Sequence, residues 1–534
     1  MHIVKYSLKI TMQTKTLDEI DINLIDYNKN VDYNSFRKIA TQQLECFYNR
    51  EKTIFTYKDR IKEQSLSDNI IVLSKSDFTN LIIKLYSDYI KTFCLNTRQN
   101  HRSVKYFNFK KFKRICIVLI FFISALCFVN SLYIKISVIA YYIICMTIKN
   151  TLLIYSFKNL KNVIQEPSSI NINSDKTKLP VYTILMPIFH ENKKTILQLI
   201  NSINSIEYPK DLLDIKLILE EDDYQSKEIV ENINVPDLFT VIFVPYFKHR
   251  TKPKACNVAA LFASGDIIVI FDCEDIPNKK QLLYATEKFN RDKTIQILQS
   301  CLKFYNSNEN ILTKCFNIEY SIWFKFILKT LNDINITIPL GGTSNYIRYS
   351  HDFEKLYWDS YNVTEDLELS VIYDENKIKI KHLDCDTEEW CTPNIKSFIK
   401  QRTRWIKGYL LTYFTHIGKY KTFDIKKMIF FHVIIGFSGL SFLLLPVLSF
   451  SLVSLNKCTI SYICMFISII YSIISVCLYF SITKQKQKTP VIGKINMLII
   501  YPFYFLLHTI SAFVAFFEIF KKPYYWQKTQ HNIN

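Results

Sequence analysis

At 534 residues, with 49% hydrophobic and 15% aromatic residues and a formal net charge of +19, the chain is too long for one ordinary domain and too apolar for an ordinary soluble protein. The basic excess is mostly lysine in a chain also rich in Asn and Ile, the bias of AT-rich coding, so no nucleic-acid partner is expected from it. The eight glycines spell neither GxGxxG nor GxxxxGK[ST], which argues against a Rossmann dinucleotide enzyme and a Walker-type ATPase.

Residues 1–110 read as a soluble, mixed and charged domain with helical stretches near 35–47 and 77–94, and the polar start predicts no cleavable signal peptide. The stretch 115–134, ICIVLIFFISALCFVNSLYI, gives 20 residues without a charge, enough to span a bilayer. A second segment, 136–157, contains Lys149. The basic flanks KYFNFKKFKR and FKNLKN place both ends of 113–158 on the cytoplasmic side, as a transmembrane hairpin. A polar linker covers 165–179. From 180 to 410 the pattern is α/β: short apolar runs at 181–188, 215–220, 239–246 and 266–272 alternate with helical stretches near 193–205, 225–232 and 254–264. Such continuous strands predict a parallel sheet covered on both faces. Residues 425–522 return to apolar runs, with spans at about 429–454, 458–481 and 496–520, and 523–534 form a basic, aromatic tail. Three spans after a cytoplasmic domain put that basic tail outside. Either 429–454, with Gly436, Gly439 and Pro446, is two short helices, or one run lies in the interface. The 14 cysteines form no CxxC pair and are expected to be buried, reduced thiols.

In open α/β sheets ligands bind beyond the carboxyl ends of the strands. There the sequence places Glu191 after the first strand, Asp222 and Asp223 after the second, Lys252, Lys254 and Asn257 after the third, and Asp272, Glu274 and Asp275 after the fourth. Paired carboxylates suit a hard divalent cation, which can neutralise a diphosphate leaving group in place of a Gly-rich loop. PLGGTSNYIR (339–348) holds the only adjacent glycines, Gly341 and Gly342, followed by Thr343; they permit close backbone approach to a ligand, or simply a turn. In NVTEDLELS (362–370), Glu365 and Asp366 open a helix, either as plain first-turn acids or with Asp366 as a general base. In QRTRWIKGY (401–409), Gln401, Arg404 and Trp405 share one helical face, a membrane-surface anchor or one wall of a site.

The ordered set MPIFHE, EDD, RTKPKACN, FDCED, GGTSN, TED and QRTRW resembles the membrane-embedded family 2 glycosyltransferases, the cellulose, chitin and hyaluronan synthases and their bacterial relatives. The resemblance covers about 180–410 and the flanking spans. It implies a GT-A fold flanked by transmembrane helices, with a small N-terminal α/β or α-rich domain. It implies inverting transfer from a nucleotide-diphosphate sugar, usually UDP-linked, to a polysaccharide or lipid-linked acceptor, with Mg²⁺ or Mn²⁺. Asp222 or Asp223, Glu191, Lys254, Asp272 and Arg404 would then meet the donor. Asp272 with Glu274 or Asp275 would hold the metal, and Asp366 beside Glu365 would be the base. Gly341, Gly342, Thr343, Gln401 and Trp405 would face the acceptor. The catalytic domain would face the cytoplasm from a multi-pass inner or plasma membrane. Two departures are visible: the DxD slot reads Asp-Cys-Glu, and EDD stands where many relatives have DDG. A few such synthases carry an N-terminal module related to secretion-ATPase N-domains, to which 1–110 could correspond. A transferase adding one sugar to a lipid carrier and a degenerate nucleotide-sugar-binding scaffold are the rival readings.

Overall fold

The computed structural model describes residues 12–95 (except 16, 21, 23–24, 27–30, 43, 49–50 and 58–68), 103–114 (except 108 and 111), 132–158, 179–349 (except 248–249), 357–444 (except 421), 458–483 and 491–525. The N-terminal domain is α/β. Its strands β1 (Met12–Thr14), β2 (Ile25–Asp26), β3 (Leu44–Tyr48), β4 (Glu51–Tyr57) and β5 (Asn69–Leu73) form one sheet in the order β1-β5-β4-β3-β2. Helices α1 (Tyr33–Thr41), α2 (Lys75–Leu85) and α3 (Ser87–Leu95) accompany it, and Phe36, Phe55, Phe78 and Leu81 are fully buried in its core. The helix expected over 35–47 ends at Thr41, because 44–48 pairs with 51–57 as an antiparallel hairpin. Pairing with a neighbouring strand decides such a short mixed segment more strongly than its own periodicity.

Helix α4 (Leu132–Lys158) precedes the larger α/β domain. There β6 (Tyr182–Ile188), α5 (Lys193–Asn204), β7 (Leu213–Glu220), α6 (Tyr224–Glu231), β8 (Phe239–Val244), α7 (Lys252–Ala260) and β9 (Ile267–Ile270) follow the predicted alternation. The chain continues through β10 (Ile276–Pro277), α8 (Gln281–Arg291), β11 (Ile295–Phe304), α9 (Ile311–Ser321), α10 (Leu328–Asp333), β12 (Asn345–Arg348), α11 (Glu365–Glu375), β13 (Lys379–Glu389) and α12 (Ile395–His416). The eight strands order as β10-β13-β11-β12-β9-β6-β7-β8. The half β9-β6-β7-β8 is parallel, as expected. The whole sheet is mixed, because β12 runs antiparallel to both β9 and β11. A strand of four residues directly after a glycine turn leaves little periodic signal. This mixed sheet with helices on both faces fits the GT-A fold that the resemblance implies. β8 is its edge, and α2 of the N-terminal domain closes that edge with side chains. Asn80 donates to the Val241 carbonyl and accepts from the Phe243 amide, both at 3.0 Å. Edge backbone groups left unpaired would invite aggregation.

Among the described residues, four helices are long and apolar enough to cross a membrane: Val138–Lys158, Ile425–Leu444, Tyr462–Ile482 and Val491–Lys521. We label the last three helices α13 (Ile425–Leu444), α14 (Cys458–Thr483) and α15 (Val491–Lys521). The expected span 115–134 lies almost wholly outside the described residues, as do the end of 429–454 and the tail from 526. Of the cysteines whose side chains are described, all but Cys477 are buried, and none of them is in a disulfide.

Candidate active site

Beyond the ends of the four parallel strands lie the residues singled out in the sequence. After β6 the chain turns through His190, which has φ 49°, and buries Glu191, whose amide donates to the Ser226 hydroxyl at 3.2 Å. Asp223 ties two turns together. It caps α6 by accepting the Ser226 amide at 3.3 Å, and it accepts the His190 amide at 2.6 Å. Asp222 pairs with Arg250. Neither aspartate lines the large central cavity; the residue of this turn that does is Glu220, the last of β7. Glu220 in turn accepts the fully buried ammonium of Lys254 at 2.8 Å. Lys254 therefore stands behind the wall, and the lysine that faces the cavity is Lys252.

Lys252 sits at the N-terminus of α7, where its ammonium meets the Asp272 carboxylate and donates to the Gly342 carbonyl at 2.6 Å. Burial works against its charge, but Asp272, and then Glu365, outweigh that and hold its pKa above the usual lysine value. Beyond β9, Asp272 and Glu274 line the cavity, whereas Asp275 is fully buried. Asp275 accepts the Asp272 amide at 2.7 Å and the Thr343 hydroxyl. Burial first, then Asp272 and Glu274, push its carboxyl well above the carboxylate range. Glu389, at the end of β13, is pushed up in the same way by burial and by Asp275.

Among the described residues no three His, Cys, Asp or Glu side chains converge to hold a metal by themselves. The donors present nonetheless fit Mg²⁺ or Mn²⁺. Such a cation takes hard oxygens from one or two carboxylates and fills its remaining positions with water and substrate phosphate. Asp272 and Glu274 supply that pair, and Asp275 keeps one buried oxygen without a partner.

The far wall is built by the glycine turn and two helices. The Gly341 amide donates to Gln299 Oε1 at 2.6 Å. Neither glycine is left-handed; in this turn that conformation falls to Ser344, φ 55°. The glycines provide room: a Cβ on Gly342 would stand 3.8 Å from both Asp366 Oδ2 and Lys252 Nζ. Glu365 and Asp366 occupy the first turn of α11 and both line the cavity. Burial and the neighbouring Asp366 carry the Glu365 carboxyl up to about 7, and burial raises Asp366 as well. Helix α12 lies directly against the residue before this pair, because Gly408 has no side chain; a Cβ there would overlap Thr364. That close approach brings Arg404 to Glu365, Asp272 and Asp366, although burial still lowers its pKa below the usual value. Gln401, Arg404 and Trp405 all line the cavity, so the shared helical face is real. Trp405 stacks on Tyr320 with centroids 6.1 Å apart, and the Arg402 guanidinium lies 4.5 Å from the centre of its ring. Arg402 is itself paired with Glu319 at 2.6 Å.

The cavity, about 710 Å³, thus gathers Glu191, Asp272, Glu274, Gly341, Gly342, Thr343, Glu365, Asp366, Gln401, Arg404 and Trp405. It leaves out Asp222, Asp223, Lys254 and Asp275. Sequence reasoning missed Glu220, Glu319, Glu389 and Trp390, which line it too. Glu220 ends a predicted strand and was legible by that rule; Glu319, within a helix, carried no signal.

A model of glycosyl transferase family group 2 matches residues 267–483. A probable glycosyltransferase, YdaM, of Bacillus subtilis is 25% identical over 385 residues, 66% of this chain and 87% of that protein. A poly-beta-1,6-N-acetyl-D-glucosamine synthase of Staphylococcus aureus is 23% identical over 284 residues, 52% of this chain and 66% of that protein. A probable glycosyltransferase of Sulfolobus acidocaldarius is 25% identical over 44% of this chain and 52% of its own length. Among solved structures, the mannosyltransferase PcManGT from Pyrobaculum calidifontis, in complex with GDP-Man and Mn²⁺, aligns with a TM-score of 0.43 at 17% identity over 71% of this chain and 98% of its own. Residues 267–483, which include the DCED turn, the TED helix and the QxxRW helix, form a family 2 glycosyltransferase domain, and the chain is a glycosyltransferase.

Proposed function

We propose that the chain is a membrane-bound, inverting transferase that moves a sugar from a nucleotide-diphosphate donor, a UDP-sugar, to a growing β-linked polysaccharide. The observation that carries this reading is the continuity of the cavity. Its wall includes Lys252, Asp272 and Asp366 of the α/β domain together with Lys149 of α4, Ser468 and Ser472 of α14 and Thr509 of α15. A small acceptor would need no such extension between helices of membrane length. A polyhydroxylated chain would, and hydroxyl side chains suit it.

In this reading Glu191 and Glu220 face the nucleotide, while Asp222, Asp223 and Lys254 fix the turns that carry them. Bound at Asp272 and Glu274, Mg²⁺ or Mn²⁺ supplies charge neutralisation of the diphosphate leaving group. Lys252 and Arg404 present two more cations where negative charge develops, fixed in place before the reaction. Asp366, ionised, accepts the proton of the attacking hydroxyl. Attack from the face opposite the nucleotide inverts the anomeric carbon, so an α-linked donor gives a β-linkage. Trp405 offers its ring to the acceptor sugar. Gln401, whose Oε1 is buried without a hydrogen-bond partner, offers an acceptor for a sugar hydroxyl. The basic segments flanking the first spans put the catalytic domain on the cytoplasmic side.

The test is the size of the product. Membranes containing the chain would be incubated with labelled UDP-glucose, UDP-N-acetylglucosamine or GDP-mannose in turn. A long labelled polymer is expected from one UDP-sugar. A single sugar on a lipid would overturn the polymerase reading.

A further inference from the structure

Residues 12–114 have no role in the reaction so far, yet they grip the two elements that carry Lys252 and Asp366. Helix α7 begins with Lys252 at the site and ends at Ala260. The last carbonyls of a helix have no partner within it, and a cation is favourable there. Arg37 of α1 fills that position. Its guanidinium donates to the carbonyl of Ala260 at 3.3 Å, to that of Leu261, and to that of Ala263 at 2.6 Å. One side chain of the N-terminal domain thus holds the far end of the helix whose near end bears the site lysine.

The second grip is on the loop that leads into α11. Asp359, fully buried, accepts the Ser103 hydroxyl and the Val104 amide, both at 2.8 Å. Ser360 donates to the Cys94 carbonyl at 2.7 Å and accepts from Asn257 Nδ2 of α7 at 3.2 Å. Asn257 also holds Trp358 by both its carbonyl, at 2.8 Å, and its amide, at 3.1 Å. Residues 358–360, in the loop ahead of Asp366, are therefore a node that joins the N-terminal domain to the Lys252 helix.

We propose that the N-terminal domain is an intramolecular brace that sets the position of Lys252 relative to Glu365 and Asp366, with Arg37 as its positioning residue. The proposal rests on the transferase reading for its catalytic consequence but not for its structural one.

The test uses the full chain in detergent and compares Arg37→Gln, Arg37→Lys and Lys75→Ala. Lys75 docks the same domain on Asp214, at the opposite end of β7 from Glu220, at 2.9 Å; that carboxylate also accepts the Ser264 amide at 3.0 Å, and Lys216, 2.8 Å away, keeps it paired when Lys75 is lost. Without substrate, Arg37→Gln should raise amide hydrogen exchange over 257–263 about tenfold, and Lys75→Ala should leave it unchanged. With donor and acceptor, Arg37→Gln should lower kcat per folded molecule about tenfold. It should also move the rising limb of the pH–rate profile upward, because Lys252 is a cation that, with Arg404, favours ionised Glu365 and Asp366. Arg37→Lys should recover part of both effects. Simple loss of folded protein would lower the rate without moving that limb. Wild-type exchange and an unmoved limb in Arg37→Gln, or equal changes in Lys75→Ala, would overturn the brace. A wild-type chain that transfers no sugar would overturn the transferase reading and leave the exchange result to decide the brace.

Discussion

Glu220 and Lys254 form an ion pair of 2.8 Å in which the lysine is fully buried. Removing one partner from such a pair leaves an uncompensated buried charge and costs about 3–5 kcal/mol. Lys254→Met is therefore expected to lower stability by that amount. Thermal unfolding of the purified chain would read it, and an unchanged midpoint would return Lys254 to the donor.

Lys252, only two residues away, should behave differently. Lys252→Met removes a cation from Asp272 and from the site. We expect kcat/KM to fall about 10²–10³-fold, as for loss of a preorganised electrostatic contact, in a protein that still folds. Steady-state kinetics beside the same thermal scan separates the two lysines.

Asp275→Asn is expected to be mild. Its carboxyl is held well above the usual range by burial, so the neutral amide resembles the form that burial favours. Glu274→Gln should abolish the restoration of activity by Mg²⁺ or Mn²⁺ after EDTA treatment. The reverse pattern would make Asp275 the metal ligand, and turnover unaffected by EDTA would remove the metal altogether.

The pH dependence should run in opposite directions for rate and stability. Burial and Asp366 raise Glu365 from 4.5 to about 7. A carboxyl with a raised folded pKa contributes stability that is complete below its unfolded pKa and lost as pH rises through the folded one. For Glu365 that window is 4.5 to about 7, so the chain should lose stability across it. Asp366 is raised too, and a general base acts only when ionised. Activity should therefore climb with pH beyond the ordinary carboxylate range. Asp366→Asn should bind donor and transfer nothing, which donor binding by calorimetry beside a transfer assay would check.

Arg404→Lys keeps the charge but loses the planar fork that matches a diphosphate. A fall of about 10²-fold in kcat/KM is expected, measured with the UDP-sugar identified by product analysis. A silent substitution would leave the helix as a surface anchor only.

The parallel half of the sheet was legible because its strands are short, apolar and bounded by turn signals. β12 was not, being four residues of NYIR placed by pairing on both sides. The lining of the cavity was legible where a residue follows a strand or opens a helix, as with Asp272 and Asp366. It was misjudged at Lys254 and Asp275. Which of two near neighbours faces a cavity depends on where the partner charge lies, and Glu220 and Thr343 come from distant parts of the chain. Glu319 was invisible for the same reason, since only the fold brings Arg402 to it.

Asp275 and Glu389, both buried beside Asp272 and Glu274, are held above the usual carboxylate range, first by burial, so they give up their protons at higher pH than exposed carboxylates do. A dication settling against this cluster must compete with those protons and expel part of them. Its apparent affinity should then weaken in acid, and the heat of its binding should vary with the ionisation enthalpy of the buffer that takes up the released protons.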